Sequence, residues 1–362
     1  MGLLLLLCAG CSPTREYHAA LVLADIAARD SPSRWKSVTP APLRTPYVYR
    51  VENRRYKADL YQSGQDALAG LLLVPGAAET GKDDARLVAF AKSLARARFN
   101  ILVPDLDSLR KLQVGPDNVR ELIDAFTVLS RPEFSPGGRA GIIAFSYAAG
   151  PAVLAALEPE IRDRVNFIFA VGGYHDLNKV LVFSTTGHFM DEGKSKHLRP
   201  NAYGKWVFVL SNLDRLSDLA DRERFRAMCE RKKENLAAPL GDLAIALTAE
   251  GRALYAFITN QDPHQAESLM KRLPEGIRND IVALDLADKD LNQLSSRLIL
   301  VHGYDDPIIP YPESRALSRA VPDGQARLYL VDGLAHVDLK PGLIGKLRLW
   351  RAVSALLAER ER

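Results

Sequence analysis

Apolar residues occur along this chain in two kinds of pattern, and the two kinds alternate. Continuous apolar runs predict buried strands at 68–76, 100–106, 139–145, 165–173, 296–303 and 326–333. Apolar residues at helical spacing predict helices at 83–98, 116–130, 147–159, 312–321 and 344–360. Strands that alternate with amphipathic helices indicate an α/β fold, with a mostly parallel sheet covered by helices on both faces.

Other patterns divide the chain into further segments. Residues 12–46 contain a helical pattern followed by a proline-rich stretch, which predicts a tether or a strap across the surface. Alternating residues on either side of Asn53-Arg54 predict a hairpin that opens the sheet. Residues 178–295 show helical patterns and no clear strand pair, although 205–210 is an apolar run. The sequence therefore predicts an α/β core in two parts, 47–177 and 296–362, with a helical insertion between them.

Composition narrows the class of protein. The chain has 362 residues, of which 47% are hydrophobic and 25% are charged, as in ordinary globular proteins. The net charge is only +4, and no basic run alternates with aromatic residues. We therefore expect no nucleic-acid partner.

The first residues, MGLLLLLCAGC, suggest export. The leucine run is too short to span a bilayer but suits the apolar part of a secretory signal. Small residues before Cys11 resemble a bacterial lipobox, although Cys8 stands where leucine is usual and no basic residue precedes the leucines. The resemblance implies removal of residues 1–10, acylation of Cys11 and a lipoprotein anchored in the cell envelope. The alternative is an ordinary frayed N-terminus, in which case the protein would be cytoplasmic.

Serine, aspartate and histidine follow three of the predicted strands. Ser146 ends the run GIIAFS, Asp305 and Asp306 follow LILVHGY, and His336 follows LYLVDGLA. Ligands and catalytic groups collect at the carboxyl edge of open α/β sheets, so these side chains are candidates for one site. Histidine accepts and returns a proton near neutral pH, which makes a serine hydroxyl a useful nucleophile.

Each candidate also has a simpler interpretation. Ser146 could cap the helix that follows it. Asp305 could be the acid and Asp306 a turn former. His336 could be a surface residue, and His302 a packed residue that holds the loop of the two aspartates.

In combination, these residues resemble the α/β-hydrolase superfamily. AFSYA matches the nucleophile elbow, with Ala144 and Ala148 in place of two glycines, and alanine adds only one methyl group at each position. HGYDDPIIP matches the acid loop, GLAH the histidine loop, and VPGAA at 74–78 the glycine turn after an early strand. The insertion at 178–295 stands where the family carries its cap.

The resemblance implies a Ser146–Asp306–His336 triad. Asp306 would orient His336 and stabilise its imidazolium. The backbone N–H groups of Tyr147 and Ala77 would form the oxyanion hole, with Ala78 as the alternative to Ala77.

Tyr174 and His175 follow the fourth apolar strand, so we expect them in the wall of the pocket. The histidines show no H-E-x-x-H pattern, and no G-x-G-x-x-G or phosphate-binding loop is present. We therefore expect neither a metal nor a nucleotide cofactor.

The sequence thus predicts a serine hydrolase, tethered to a membrane, that cleaves a carboxylic ester of a small-molecule acyl substrate through an acyl-serine intermediate. One alternative is a peptidase or acyltransferase with the same triad. The other is a hydrolase-like protein that binds a partner or lipid without turnover, because a fold alone does not guarantee activity.

Overall fold

A computed structural model describes residues 12–336 and 338–362. Its strands are β1 (Leu43–Val51), β2 (Arg54–Gln62), β3 (Ala69–Val74), β4 (Phe99–Pro104), β5 (Ala140–Phe145), β6 (Phe167–Val171), β7 (His188–Asp191), β8 (Lys194–His197), β9 (Arg297–Gly303), β10 (Ala326–Val331), β11 (Leu334–Ala335) and β12 (Asp338–Leu339).

The α-helices come between and around these strands. They are α1 (Pro13–Ala28), α2 (Arg34–Val38), α3 (Ala85–Arg96), α4 (Asp107–Arg110), α5 (Asp117–Leu129), α6 (Ala149–Leu157), α7 (Leu177–Thr186), α8 (Gly204–Ser211), α9 (Leu219–Glu234), α10 (Gly241–Ala244), α11 (Ala249–Thr259), α12 (Pro263–Lys271), α13 (Glu275–Leu284), α14 (Pro312–Ala320) and α15 (Leu343–Ala358).

Eight strands form the central sheet, in the order β1-β2-β4-β3-β5-β6-β9-β10. The β1–β2 and β2–β4 pairs are antiparallel, and the pairs from β4–β3 to β9–β10 are parallel. The parallel strands are apolar because helices cover them on both sides: α5, α6 and α14 on one face, and α1, α3 and α15 on the other. The predicted α/β-hydrolase sheet is confirmed, and it directs the carboxyl ends of β5, β6, β9 and β10 to one edge.

The N-terminal segment is a strap packed on the core rather than a free tether. Trp350 Nε1 on α15 donates a hydrogen bond to the Glu16 carbonyl on α1 at 2.8 Å, and Ser354 Oγ donates to Glu16 Oε1 at 2.6 Å. Trp35 on α2 is buried and donates to the Ser93 carbonyl on α3 at 3.2 Å. The predicted proline-rich stretch contains helix α2 and the start of β1, which begins at Leu43.

The segment between β6 and β9 carries helices α7 to α13 and has an apolar core of its own. Trp206, Phe225 and Phe257 are buried in that core. The expectation of no strand pair is wrong, because β7 and β8 form a hairpin. The apolar run at 205–210 lies in helix α8, where its spacing buries Trp206 and Val209.

The hairpin is fixed to the core through one buried carboxylate. Asp191 accepts hydrogen bonds from Tyr311 Oη at 2.6 Å, Lys196 Nζ at 2.6 Å and Arg315 at 2.5 Å. Tyr311 and Arg315 belong to the loop and helix that follow β9, so the hairpin is held beside the loop of Asp306.

The predicted signal segment and Cys11 lie outside the described residues. Within 12–336 and 338–362, no helix is both long enough and apolar enough to cross a bilayer. Cys229 is a buried free thiol on α9, and burial raises its pKa to about 12.

Candidate active site

Ser146 lies on a sharp turn between β5 and α6. Its φ of 56° is in the left-handed region, which a residue with a Cβ adopts only when its surroundings impose it. Ala144 and Ala148 on either side are fully buried, at 0% and 1% exposure, so their methyl groups fit where the family usually has glycine. The strain supports an elbow that holds a nucleophile rather than a plain helix cap.

Gly150 in helix α6 allows the ring of Tyr174 to approach the backbone behind the elbow. A Cβ at Gly150 would lie 2.1 Å from Tyr174 Oη, which is far below any contact distance. Tyr174 is buried and donates from Oη to the Leu284 carbonyl on α13 at 3.0 Å. Helix α6 therefore needs a glycine at position 150 so that Tyr174 can pack against it.

Asp306 is the aspartate that meets His336. Asp306 Oδ2 accepts a hydrogen bond from His336 Nδ1 at 2.8 Å, and Asp306 Oδ1 accepts from the Ile308 and Ile309 amides at 2.8 and 3.0 Å. Asp306 is buried at 1% exposure, whereas Asp305 is exposed. Of the two aspartates that the sequence offers as the partner of His336, the structure thus pairs Asp306 with it.

The carboxylate of Asp306 stays ionised although it is buried. Burial alone would raise its pKa, but hydrogen bonds from His302 and His336 outweigh that effect and hold the pKa well below its usual range. His302 Nε2 lies 3.5 Å from Asp306 Oδ2 and donates to the Ile309 carbonyl at 2.9 Å. His302 is buried, as the sequence suggests, and it holds the acid loop from beneath.

Gly172 makes room for the Asp306–His336 pair. Its φ is +67°, and a Cβ there would lie 3.3 Å from Asp306 Oδ2 and 3.4 Å from His336 Nδ1. The side chain of His336 is 12% exposed, so the ring reaches the surface of the site while its Nδ1 side is enclosed.

Ser146 and His336 line the same cavity, of about 610 Å³, at the carboxyl edge of the sheet. Tyr147, Ala77 and Ala78 line it too, so the residues expected to form the oxyanion hole share the cavity with the serine. Tyr147 occupies the first turn of a helix, where N–H groups lack partners within the helix. Its side chain is held separately, because Tyr147 Oη donates toward the Gly115 carbonyl at 3.1 Å.

Helices of the segment between β6 and β9, which we call the cap, also line the cavity. Their lining residues include Leu181 on α7, Val207 and Phe208 on α8, and Ile281 and Leu284 on α13. Tyr174 lines the cavity as expected. The expectation for His175 is wrong: it is not among the lining residues, because its amide donates to Glu313 Oε2 at 3.2 Å and its carbonyl accepts from Leu286 N at 3.1 Å.

Helix α1 contributes to the cavity as well, which sequence reasoning missed. Leu23, Ile26 and Ala27 line it. Their helical spacing is visible in the sequence, but most of the cavity they face is formed by residues of β5, α3, α15 and the cap, which are distant along the chain. In the described part of the chain, no group of three or more histidine, cysteine, aspartate or glutamate side chains could hold a metal ion.

Comparisons with known proteins concern the fold. No family model and no curated protein matches the sequence. The structure is similar to a puromycin-hydrolyzing peptidase from Mycobacterium tuberculosis, at 14% identity and a TM-score of 0.46, over 88% of this chain and 39% of that chain. It is also similar to an acylaminoacyl peptidase from Pyrococcus horikoshii, at 10% identity and a TM-score of 0.48, over 90% of this chain and 42% of that chain.

A dienelactone hydrolase from Anabaena variabilis has a length closer to this one. It shares 13% identity at a TM-score of 0.46, over 86% of this chain and 96% of that chain. The fold assignment rests on the strand order and on the strained serine at the end of β5.

Proposed function

We propose that this chain, which has the α/β-hydrolase fold, is a serine hydrolase that cleaves a carboxylic ester through an acyl-serine intermediate. The observation that carries the proposal is the hydrogen bond from His336 Nδ1 to the buried Asp306 carboxylate, in a cavity that also contains Ser146. Because Nδ1 donates its proton to Asp306, the other ring nitrogen, Nε2, is left to accept a proton.

The first half of the reaction forms the acyl-serine. Ser146 Oγ bonds to the ester carbonyl carbon while His336 Nε2 takes the hydroxyl proton. The tetrahedral intermediate collapses as its C–O bond to the alcohol breaks, and Nε2 returns the proton to that oxygen. Asp306 remains ionised throughout, because its pKa lies well below its usual range, and it stabilises the imidazolium.

The second half releases the acid. Water gives a proton to His336 Nε2 as its oxygen bonds to the acyl carbon. The intermediate collapses as the bond between the acyl carbon and Ser146 Oγ breaks, and Nε2 returns the proton to Oγ. Both intermediates carry an oxyanion, for which we assign the Tyr147 and Ala77 amides as donors. Removing one such donor from an enzyme of this type costs on the order of 10²-fold in rate.

An ester is favoured because apolar side chains dominate both walls of the cavity, from the cap and from the core. Such a lining suits alkyl groups on either side of the scissile bond. A peptidase or an acyltransferase would use the same residues, so those activities are outcomes of the test below.

We further propose that the protein is exported and held at a membrane by acylation of Cys11. The proposal rests on the leucine run and the small residues before that cysteine. Helix α1 begins at Pro13, so an anchor at Cys11 would be directly joined to the strap on the core.

The test of the proposed function is a panel of p-nitrophenyl esters and matched p-nitroanilides, with and without added alcohols. We expect ester hydrolysis that is lost in Ser146→Ala while the Tm is retained. Faster cleavage of anilides would identify a peptidase, and transfer to alcohols an acyltransferase. A folded wild-type protein inactive on the whole panel would contradict the proposal.

A further inference from the structure

The cavity at Ser146 has a second apolar part on the side away from the cap. We call it the apolar arm and define it by Leu23, Ile26, Phe90, Phe145, Leu349 and Val353, which line it. These residues belong to α1, α3, β5 and α15. The arm therefore lies between α3 and α15 on one face of the sheet, with the sheet as its floor and α1 across it.

The arm begins beside the nucleophile. Phe145 directly precedes Ser146, and its ring packs edge-on against Phe90 of α3, with ring centroids 5.5 Å apart. Phe169, Val171 and Val301, from the adjoining strands β6 and β9, also line the cavity. A group attached to the carbonyl carbon at Ser146 can thus enter the arm without leaving the cavity.

Helix α1 is held firmly enough to serve as a wall. Asp25 accepts a hydrogen bond from Ser93 Oγ of α3 at 2.6 Å and pairs with Lys36 Nζ at 2.8 Å. Ala19 and Val22 are fully buried against the core, while Leu23 and Ile26 are only half-buried. Leu23 and Ile26 are three positions apart, so they lie on the same side of the helix and present apolar surface that the rest of the protein leaves uncovered.

Charged residues on this side of the cavity stand at the ends of helices. Arg29 directly follows α1, and Asp84 and Arg86, which form an ion pair at 3.0 Å, are at the start of α3. The arm is therefore an apolar slot between helices with a charged rim. That combination suits an unbranched alkyl chain, which has no polar group to satisfy inside the slot.

We propose that the apolar arm binds the unbranched alkyl chain of the substrate's acyl group, so that helix α1 is part of the substrate site and sets the preferred chain length. The expected chain-length preference in ester cleavage rests on the proposed function. Binding of an alkyl chain in the arm does not depend on it. The proposal predicts a substrate class, esters of medium- to long-chain carboxylic acids, and it assigns the cap side of the cavity to the alcohol.

Two matched variants on α1 test the inference. Ala27 lines the cavity, whereas Ala24, which is also exposed, does not. Ala27→Trp adds an indole to the cavity wall beside the arm, and Ala24→Trp adds the same side chain at an exposed position that does not line the cavity. Ile26→Gln, which places an amide in the arm, replaces Ala27→Trp if that variant has a lowered Tm.

The first measurement is kcat/KM for p-nitrophenyl esters from acetate to palmitate. We expect the loss that Ala27→Trp causes on decanoate and longer esters to exceed its loss on acetate by on the order of tenfold, which is the effect of about two unburied methylene groups. Ala24→Trp should match wild type at every length. Equal losses at all chain lengths, or equal effects of the two variants, would overturn the inference.

The second measurement is independent of turnover. Binding of 11-(dansylamino)undecanoic acid is followed by fluorescence in the Ser146→Ala background, alone and combined with each tryptophan variant. We expect binding that Ala27→Trp weakens on the order of tenfold and Ala24→Trp leaves unchanged. If the wild type cleaves no ester but the two tryptophan variants affect binding as expected, the proposed function is wrong and the alkyl-binding role of the arm is supported. Absent binding, or binding that both variants affect equally, contradicts the arm itself.

Discussion

Asp306 Oδ2 accepts a hydrogen bond from His336 Nδ1 at 2.8 Å, although the two residues come from loops after different strands. Asp306 has its other oxygen saturated by the Ile308 and Ile309 amides, so the carboxylate cannot turn away from the ring. The consequence is a single tautomer of His336, with the free Nε2 available for the cavity that Ser146 lines.

The neighbouring aspartates allow a paired test of that relationship. Asp306→Asn removes the charge that selects the tautomer, so kcat on a p-nitrophenyl ester should fall by on the order of 10³–10⁴-fold. Asp305→Asn changes an exposed side chain, so its kcat should stay within about twofold of the wild-type value, because surface substitutions rarely disturb a site. Equal activity of the two variants would show that Asp306 does not orient the base.

Glu313 should make stability depend on pH. Glu313 on α14 accepts hydrogen bonds at Oε2 from the His175 and Asp176 amides, at 3.2 and 2.7 Å. Burial raises the pKa of its carboxyl group to about 7. The folded protein therefore holds this proton more tightly than the unfolded chain does. The stabilisation is complete below pH ~4.5 and is lost as the pH rises toward 7.

Urea unfolding of Glu313→Gln at pH 5 and pH 8 tests this effect. The glutamine keeps an acceptor for the two amides but has no proton to lose, so the decrease in the free energy of unfolding between the two pH values should shrink by about 2 kcal/mol. Glu133→Gln, at an exposed position, should keep the wild-type decrease. Parallel pH profiles for Glu313→Gln and wild type would contradict the assignment.

Gly150 should be essential to the packing behind the elbow. In Gly150→Ala the new methyl group would overlap Tyr174, so the free energy of unfolding should fall by about 1–3 kcal/mol. Gly204→Ala is the control, because a Cβ there meets nothing within 4 Å and alanine favours the helix. The double variant Gly150→Ala/Tyr174→Ala should lose less stability than the sum of the two single losses, whereas simple additivity would argue against the contact.

The sequence predicts the core well because its signals are local. The apolar run at 139–145 becomes β5 at Ala140–Phe145, and the helix expected at 312–321 is α14 at Pro312–Ala320. The acid and histidine loops follow strands, so the sheet alone brings Asp306 and His336 to one edge. Such features need only the spacing of apolar residues and the topology of a parallel sheet.

Features that depend on distant contacts were not predictable in the same way. The hairpin of β7 and β8 has an exposed second strand with no apolar alternation, and it is held by Asp191 through Tyr311 and Arg315. The apolar run at 205–210 fits a buried strand or a buried helix equally well until its neighbours are known. The role of α1 as a cavity wall depends on where α3 and α15 lie.

Substituting each of the two N-terminal cysteines in turn tests whether Cys11 is acylated. Expression of the full chain in a bacterium with metabolic labelling by an alkyne fatty acid should give a labelled protein in the membrane fraction. Cys11→Ser should abolish both the label and the membrane association, and Cys8→Ser should leave both. A wild-type protein whose intact mass retains residues 1–10 and lacks acyl mass would contradict the proposed anchor.

The central claim is that Ser146 is an activated nucleophile, and covalent labelling by a fluorophosphonate tests it most directly. We expect intact-mass analysis of the wild type to show one adduct, mapped to Ser146, and Ser146→Ala with an unchanged Tm to show none. Labelling that persists in Ser146→Ala, or a folded wild-type protein that takes up no label, would contradict the account.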